Sequence, residues 1–217
     1  MLGKTHYAGG FLSTLVVFDV LRMRGLLVPE CNEFIQLMVM CPFASFGSIF
    51  PDLDQGSESI PSKDPVSRGV HKVLRALGAR HRSWQTHSLF FTGGFCALLV
   101  AFILFGSTLS WVSLTAVDWV LLRLSIFGFV CGVLSHLLLD ALSTAGIHVF
   151  PNMKLHLVPD SPAFKTGGLW EKIVYLLLCL GITFFLIKIF VWVPLSSSER
   201  VASFYELLIQ KLSNFKE

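Results

Sequence analysis

Residues 119–146 read WVLLRLSIFGFVCGVLSHLLLDALSTAG. From 119 to 139 the only charged side chain is Arg123, near one end, and a run of about 20 mostly apolar residues is what an α-helix needs to cross the hydrocarbon of a bilayer. Inside the same run stand His136 and, one helical turn later, Asp140. Each is expensive to take out of water, so groups of this kind at lipid depth usually serve a site. The stretch therefore reads as a membrane span that delivers two ionisable groups to one of its ends.

Composition carries this reading to the whole chain. The 217 residues are 53% hydrophobic and 14% charged, with 20 Phe and a mean hydropathy of +0.68, against roughly 25% charge in ordinary soluble domains. The net charge of +3 is too small and too dispersed to indicate a nucleic-acid partner. Cys31, Cys41, Cys96, Cys131 and Cys179 are widely spaced, form no CxxC pair and lie mostly in apolar segments, as small core hydrophobes do.

Further spans are expected at 34–51, interrupted by Pro42, at 89–106 and at 173–193, with a weaker, shorter candidate at 7–21. Asp19 interrupts that first run and no AxA-like cleavage site follows, so it is read as mature chain rather than a signal peptide. Polar, turn-rich segments at 51–82, 107–117 and 146–171 punctuate the spans. In the tail, Val201, Phe204, Leu207, Leu208 and Leu212 recur at helical spacing. The expected fold is all-α: a polytopic membrane helical bundle with about four to five membrane-embedded helices and a metal site near one face. One membrane-embedded domain covers 1–195, followed by an amphipathic tail at 196–217.

If every candidate crosses, residues 1–6, 51–86 and 140–172 share one face. That face holds Lys4, Lys63, Arg68, Lys72, Arg75, Arg80, Arg82, Lys154, Lys165 and Lys172, ten of the seventeen cations. The positive-inside rule makes it cytoplasmic. The same alternation gathers His6, Asp52, Asp54, His81, His87, His136, Asp140, His148, His156 and Glu171 on or near that face.

Each motif has its own logic. His136 and Asp140, at i and i+4, project from one side of a helix, a spacing suited to two metal ligands and also to a helix-stabilising hydrogen bond. FPDLDQG (50–56) places Asp52 and Asp54 two apart after Pro51; in an extended segment both would point to one side and repel unless a cation or donors intervene. Taken alone, the segment reads better as an Asp-rich turn closing a span. In ARHRSWQTHSLFF (79–91), His81 and His87 are six apart and meet only across a turn or cap, which Thr86 or Ser88 can supply; the alternative is an interfacial His/Arg cluster. Glu171 opens the last span, where a carboxylate also suits the helix dipole. Jointly, imidazoles with paired carboxylates form a donor set for zinc or a similar borderline metal.

In this order, THYAGG, PDLD, HR followed by THSL, SHLLLDALSTAG with Pro151, and TGGLWE resemble the YdjM-like family of inner-membrane metal-dependent hydrolases, over residues 4 to about 172. More distantly, the order is similar to that of zinc-dependent phospholipase C and P1-type nucleases. Departures from the family pattern are the six-residue spacing in HRSWQTHS, where five is common, Ser143 for a usual Thr, Thr144 for a usual Pro, and Gln55 for a frequent His. The resemblance implies two or more divalent ions, zinc above all, held by His6, Asp52 or Asp54, His87, His136, Asp140 and Glu171. Arg82, His81 and Asp54 are the candidate catalytic groups: Arg82 for developing negative charge, and whichever Asp is not a ligand as base.

The expected function is a membrane-bound metal-dependent hydrolase that attacks a phosphoester or lipid-like ester with metal-activated water. Its partners would be membrane lipid and an interfacial small substrate, with the site facing the cytoplasm from the inner membrane. The alternative is a metal-binding transporter or a non-catalytic structural membrane protein. A lipid phosphatase of the phosphatidic-acid type needs an Arg six before the His, where Val130 stands, and an intramembrane zinc protease needs an HExxH that does not occur.

Overall fold

A computed structural model describes residues 1–29, 31–54, 65–76, 78, 86–108, 114–150, 152–159 and 165–192. The described elements are α1 (Gly3–Met23), α2 (Glu33–Ile49), α3 (Pro65–Ala76), α4 (Leu89–Phe105), α5 (Ala116–Ala141), β1 (Ile147–Phe150), β2 (Met153–Leu155) and α6 (Leu169–Ile187). The helical bundle expected from composition is present. Three helical stretches are long and apolar enough to cross a membrane, Glu33–Leu53, Ala116–Ala141 and Leu169–Trp192, and α4 is a shorter apolar helix. The tail expected at 196–217 lies outside the described residues.

α5 is central and packs against α1, α2 and α4. Thr115 caps it through a reciprocal box, its hydroxyl accepting from Asp118 N–H while the Asp118 carboxylate accepts from Thr115 N–H. Its approach to α2 is set by glycine. A Cβ on Gly47 would lie 2.1 Å from the Phe129 carbonyl oxygen, one on Gly128 2.2 Å from that of Met40, and one on Gly132 2.1 Å from that of Ala44. Bare backbone therefore meets backbone, the way membrane helices associate when both lipid and side chains are apolar.

Two apolar clusters fill the bundle. Leu15, Phe18, Leu37, Met40, Leu124 and Ile189 join α1, α2, α5 and the last described stretch, Lys188–Trp192. Cys96, Ile103, Ile126, Phe129, Val130 and Val133 join α4 to α5. All five cysteines are free thiols. Leu98 on α4 and Leu176, Leu177, Leu180 and Phe184 on α6 are exposed, the surface expected to meet lipid tails.

Three departures from the sequence reading shape the site. First, α1 starts at Gly3 rather than near residue 7, so His6 is a helical residue. Leu2 supplies no side-chain cap; the Glu171 carboxylate, from α6, accepts from Leu2 N–H and from the Thr5 hydroxyl instead. Second, Phe50–Asp54 is a 3-10 helix and not an extended strand. Pro51 lacks the N–H that would continue the α-helical ladder of α2, and the chain tightens by one residue per turn rather than opening. The extended backbone on which residues 52 and 54 would alternate onto one side is therefore not formed. Third, part of the polar connection at 146–171 is ordered as an antiparallel hairpin of β1 and β2, entered at Gly146 with φ +63°.

Candidate metal centre

Four separate pieces of chain supply the buried ionisable cluster. His6 comes from the first turns of α1, Asp52 from the 3-10 turn after α2, His87 from the residue pair before α4, and His136 with Asp140 from the last turns of α5. His6, His136 and Asp140 are fully buried, His87 nearly so, and Asp52 is 9% exposed.

Local chemistry holds His87 in place. Ser88 is the N-cap of α4, its hydroxyl accepting from Phe91 N–H at 3.0 Å. The Thr92 hydroxyl reaches back to donate to the Thr86 carbonyl at 2.9 Å, and the Thr86 hydroxyl shares a hydrogen bond of 3.0 Å with His87 Nδ1. The hairpin adds a clamp from outside, where His148 N–H donates to the His87 carbonyl at 2.9 Å. The Nε2 side of His87 is thereby turned toward Asp52 Oδ1, 3.2 Å away.

His136 is oriented by α2. Its Nδ1 lies 2.6 Å from the Ser48 carbonyl oxygen, and since a carbonyl only accepts, Nδ1 carries the proton. In the neutral ring Nε2 is then a lone pair, the arrangement in which a second-shell acceptor fixes a metal-binding tautomer. That Nε2 faces His87 Nε2 at 3.4 Å, Asp140 Oδ2 at 3.6 Å and Asp52 Oδ1 at 4.0 Å. His6 stacks on His136 with ring centroids 3.8 Å apart and brings Nε2 to 3.3 Å from Asp140 Oδ1. The Met1 nitrogen donates to the same carboxylate oxygen at 2.6 Å.

Donor atoms fall into two sets, His6, His136 and Asp140, and Asp52, His87 and His136. Within each set they lie within 4.8 Å of one another, and His136 is common to both. Nitrogen and carboxylate oxygen from three or more side chains is the donor chemistry of zinc sites. The fit has a further mark: among the described residues His6 Nδ1 is buried without a hydrogen-bond partner, and Nε2, though 3.3 Å from Asp140 Oδ1, makes no well-aligned hydrogen bond. Such orphaned polar atoms are rare and call for a ligand, an ion or a water. Of the two carboxylates in so dry a place, Asp140 has the Met1 ammonium beside it; the positive charge that remains to be supplied suits a divalent cation better than protonated imidazoles held ring on ring.

Glu171 is engaged elsewhere. One carboxylate oxygen accepts from Leu2 N–H and, at 2.8 Å, from the Thr5 hydroxyl, and the other accepts from Gly167 N–H at 2.6 Å. It belongs to neither donor set and braces α1 against α6. Asp54 ends the 3-10 turn, and its side chain lies outside what is described; His81 and Arg82 lie outside the described residues altogether.

Two partners of this site escaped sequence reasoning, and a third, Thr86, was read only as a possible cap, a role that Ser88 takes. The Ser48 carbonyl and the His148 amide are backbone groups, which no side-chain pattern announces. Thr86, by contrast, stands in the THS motif beside His87, where a hydroxyl next to a candidate ligand is a usable signal. A separate surprise lies far along α1: Lys188, in the π-helical stretch Lys188–Trp192 that extends α6, is ion-paired with the buried Asp19.

The sequence profile of the family described as YdjM inner membrane protein matches residues 1–197. No curated protein and no solved structure matches the chain.

Proposed function

Because the chain belongs to the YdjM inner membrane protein family, and is thus a multi-pass protein of the inner membrane, we propose that it is a metal-dependent hydrolase acting on a phosphoester or a lipid-like ester. The observation that carries this reading is the convergence of His6, Asp52, His87, His136 and Asp140 from four pieces of chain into two adjoining donor sets. Two or more divalent ions, zinc first, would be held by these five side chains. When bound, such ions lower the pKa of water from 15.7 to about 7 and polarise a phosphoryl or acyl oxygen.

The chain's own groups have distinct tasks in this reading. Ser48 holds His136 in its Nε2-lone-pair tautomer through the 2.6 Å bond to Nδ1, and Thr86 and the hairpin hold His87. The cluster's own side chains are almost entirely out of water, with Asp52 the most exposed at 9%. Asp54 is positioned by the chain two residues from Asp52 and is the candidate general base. Arg82, with His81 beside it, is the candidate stabiliser of developing negative charge. The site faces the cytoplasm in this reading, since the loops at its end carry most of the cations.

A transporter needs a polar path from one end of the bundle to the other. Between His6 and the Asp19–Lys188 pair, the described interior holds Leu15, Phe18 and Met40, each at most 1% exposed, and the hydroxyl of the buried Thr14 is taken up by the Gly10 carbonyl, which favours the hydrolase.

Metal analysis of the purified protein tests the reading directly. Stoichiometric zinc or another divalent ion is expected, together with turnover of a phosphodiester or lipid ester in a substrate screen, and both should fall away in His136→Ala and Asp140→Ala proteins that still insert. Purified wild-type protein without stoichiometric metal would overturn it.

A further inference from the structure

α3 is unlike every other described helix. Pro65–Ala76, PVSRGVHKVLRA, is sharply two-sided although it sits in a polar connection. Arg68, Lys72 and Arg75 recur at i, i+4 and i+7 on one side, and all three are exposed. None of them is paired with a carboxylate among the described residues. Val73 projects from the opposite side and is 59% exposed, with Leu74 half-buried beside it.

The helix is fastened to the metal centre's own scaffold. His71 Nδ1 lies 2.7 Å from the Leu53 carbonyl oxygen, in the same 3-10 turn that presents Asp52. Leu53, 1% exposed, is itself a core residue. α3 is thus tied to the rim of the site through His71, a neighbour of Arg68 and Arg75 on the helix surface, while the three cations, unpaired among the described residues, and Val73 on the far side stay exposed.

We propose that α3 is an interfacial helix that docks on the anionic surface of the surrounding bilayer and gathers anionic phospholipid at the entrance of the metal centre. A cation-rich amphipathic helix inserts its apolar side at the headgroup boundary and places its cations at the level of the lipid phosphates. α3 carries three cations and no carboxylate, equal to the whole net charge of +3 of the chain, and it concentrates them where they meet anionic headgroups. The contact of α3 is with the end of the Glu33–Leu53 stretch, which like α5 is long and apolar enough to cross a membrane, so the helix belongs at the end of a span. The substrate class that follows, an anionic phospholipid, rests on the hydrolase reading above; the docking itself does not.

The test uses the full chain in lipid nanodiscs, with Cys31, Cys41, Cys96, Cys131 and Cys179 replaced by Ala and an environment-sensitive fluorophore on Val73→Cys. In discs containing about a third phosphatidylglycerol, emission should shift to the blue and an aqueous quencher should lose access, relative to discs of phosphatidylcholine alone. Each cation near an anionic surface favours docking roughly fivefold. The added substitutions Arg68→Gln, Lys72→Gln and Arg75→Gln should therefore abolish the lipid dependence, as should high salt. The same emission in both lipids, or a shift that survives the triple substitution, overturns the proposal, and lipid-independent burial of the probe points to a protein partner instead. The readout needs neither metal nor turnover, so protein stripped with chelator must behave identically. Loss of docking leaves the metal reading standing, and absence of metal leaves the docking standing.

Discussion

At the scale of single residues, the cluster separates side chains that face the donor sets from side chains that hold the frame. His136 serves both sets, so His136→Ala should cost more metal than any other single substitution, with at least about a tenfold loss of affinity, the lower range for disturbing a metal site's supporting shell. Equilibrium dialysis with zinc measures it. Glu171→Gln is expected to behave differently. It weakens hydrogen bonds to a charged acceptor worth roughly 1.5–3 kcal/mol each, lowering the thermal midpoint while bound metal stays at the wild-type level. Metal loss in Glu171→Gln with an unchanged midpoint would instead make Glu171 a ligand. The sequence placed Glu171 and His136 in one ordered motif and could not separate them. What divides them is whose hydrogen bonds each atom receives, and Leu2, Thr5 and Gly167 are not recognisable as donors to residue 171 until α1 and α6 lie side by side.

At the scale of elements, two contacts govern whether the helices assemble. The α2–α5 crossing has no room for a Cβ at Gly47, Gly128 or Gly132, and overpacking of this kind costs about 1–3 kcal/mol or more. Gly132→Ala should therefore lower the thermal midpoint and, by shifting His136 away from Ser48, reduce bound metal as well; scanning fluorimetry and metal analysis on the same sample check both. The Asp19–Lys188 pair ties α1 to the π-helical end of α6. Removing one partner leaves an unpaired charge in a dry place, at a cost of about 3–5 kcal/mol, whereas replacing both is often nearly neutral. Lys188→Met should destabilise strongly and Asp19→Asn with Lys188→Met should recover most of the loss, read as thermal midpoints in detergent. Nothing in the separate runs 7–21 and 173–193 paired these two residues, because an interruption in one apolar segment acquires meaning only when its partner in another is known.

For the whole molecule, one end of the bundle holds the clustered carboxylates and imidazoles, while the described interior beyond it is mainly apolar, with Thr14, Gln36 and the Asp19–Lys188 pair as its buried polar groups. Folding that buries Asp52 and Asp140 beside three imidazoles is most favourable with a cation present, so a chelator should lower the midpoint of the wild-type protein. Restored zinc at a hundred times its dissociation constant would return about 2.7 kcal/mol. Asp140→Asn should be insensitive to the same treatment. The sequence by itself determined the membrane bundle, its principal spans and the end at which the ionisable residues collect, because apolar length and the alternation of connections are local properties that lipid enforces on any chain. It also supplied the family through an ordered set of short motifs. Only the tertiary structure decided the start of α1, the 3-10 turn under Asp52, the hairpin clamp on His87 and the pairing of Asp19 with Lys188. Each of these depends on a backbone group or charge contributed from a distant part of the chain, and a donor that has no partner in its own segment leaves no trace in the local pattern.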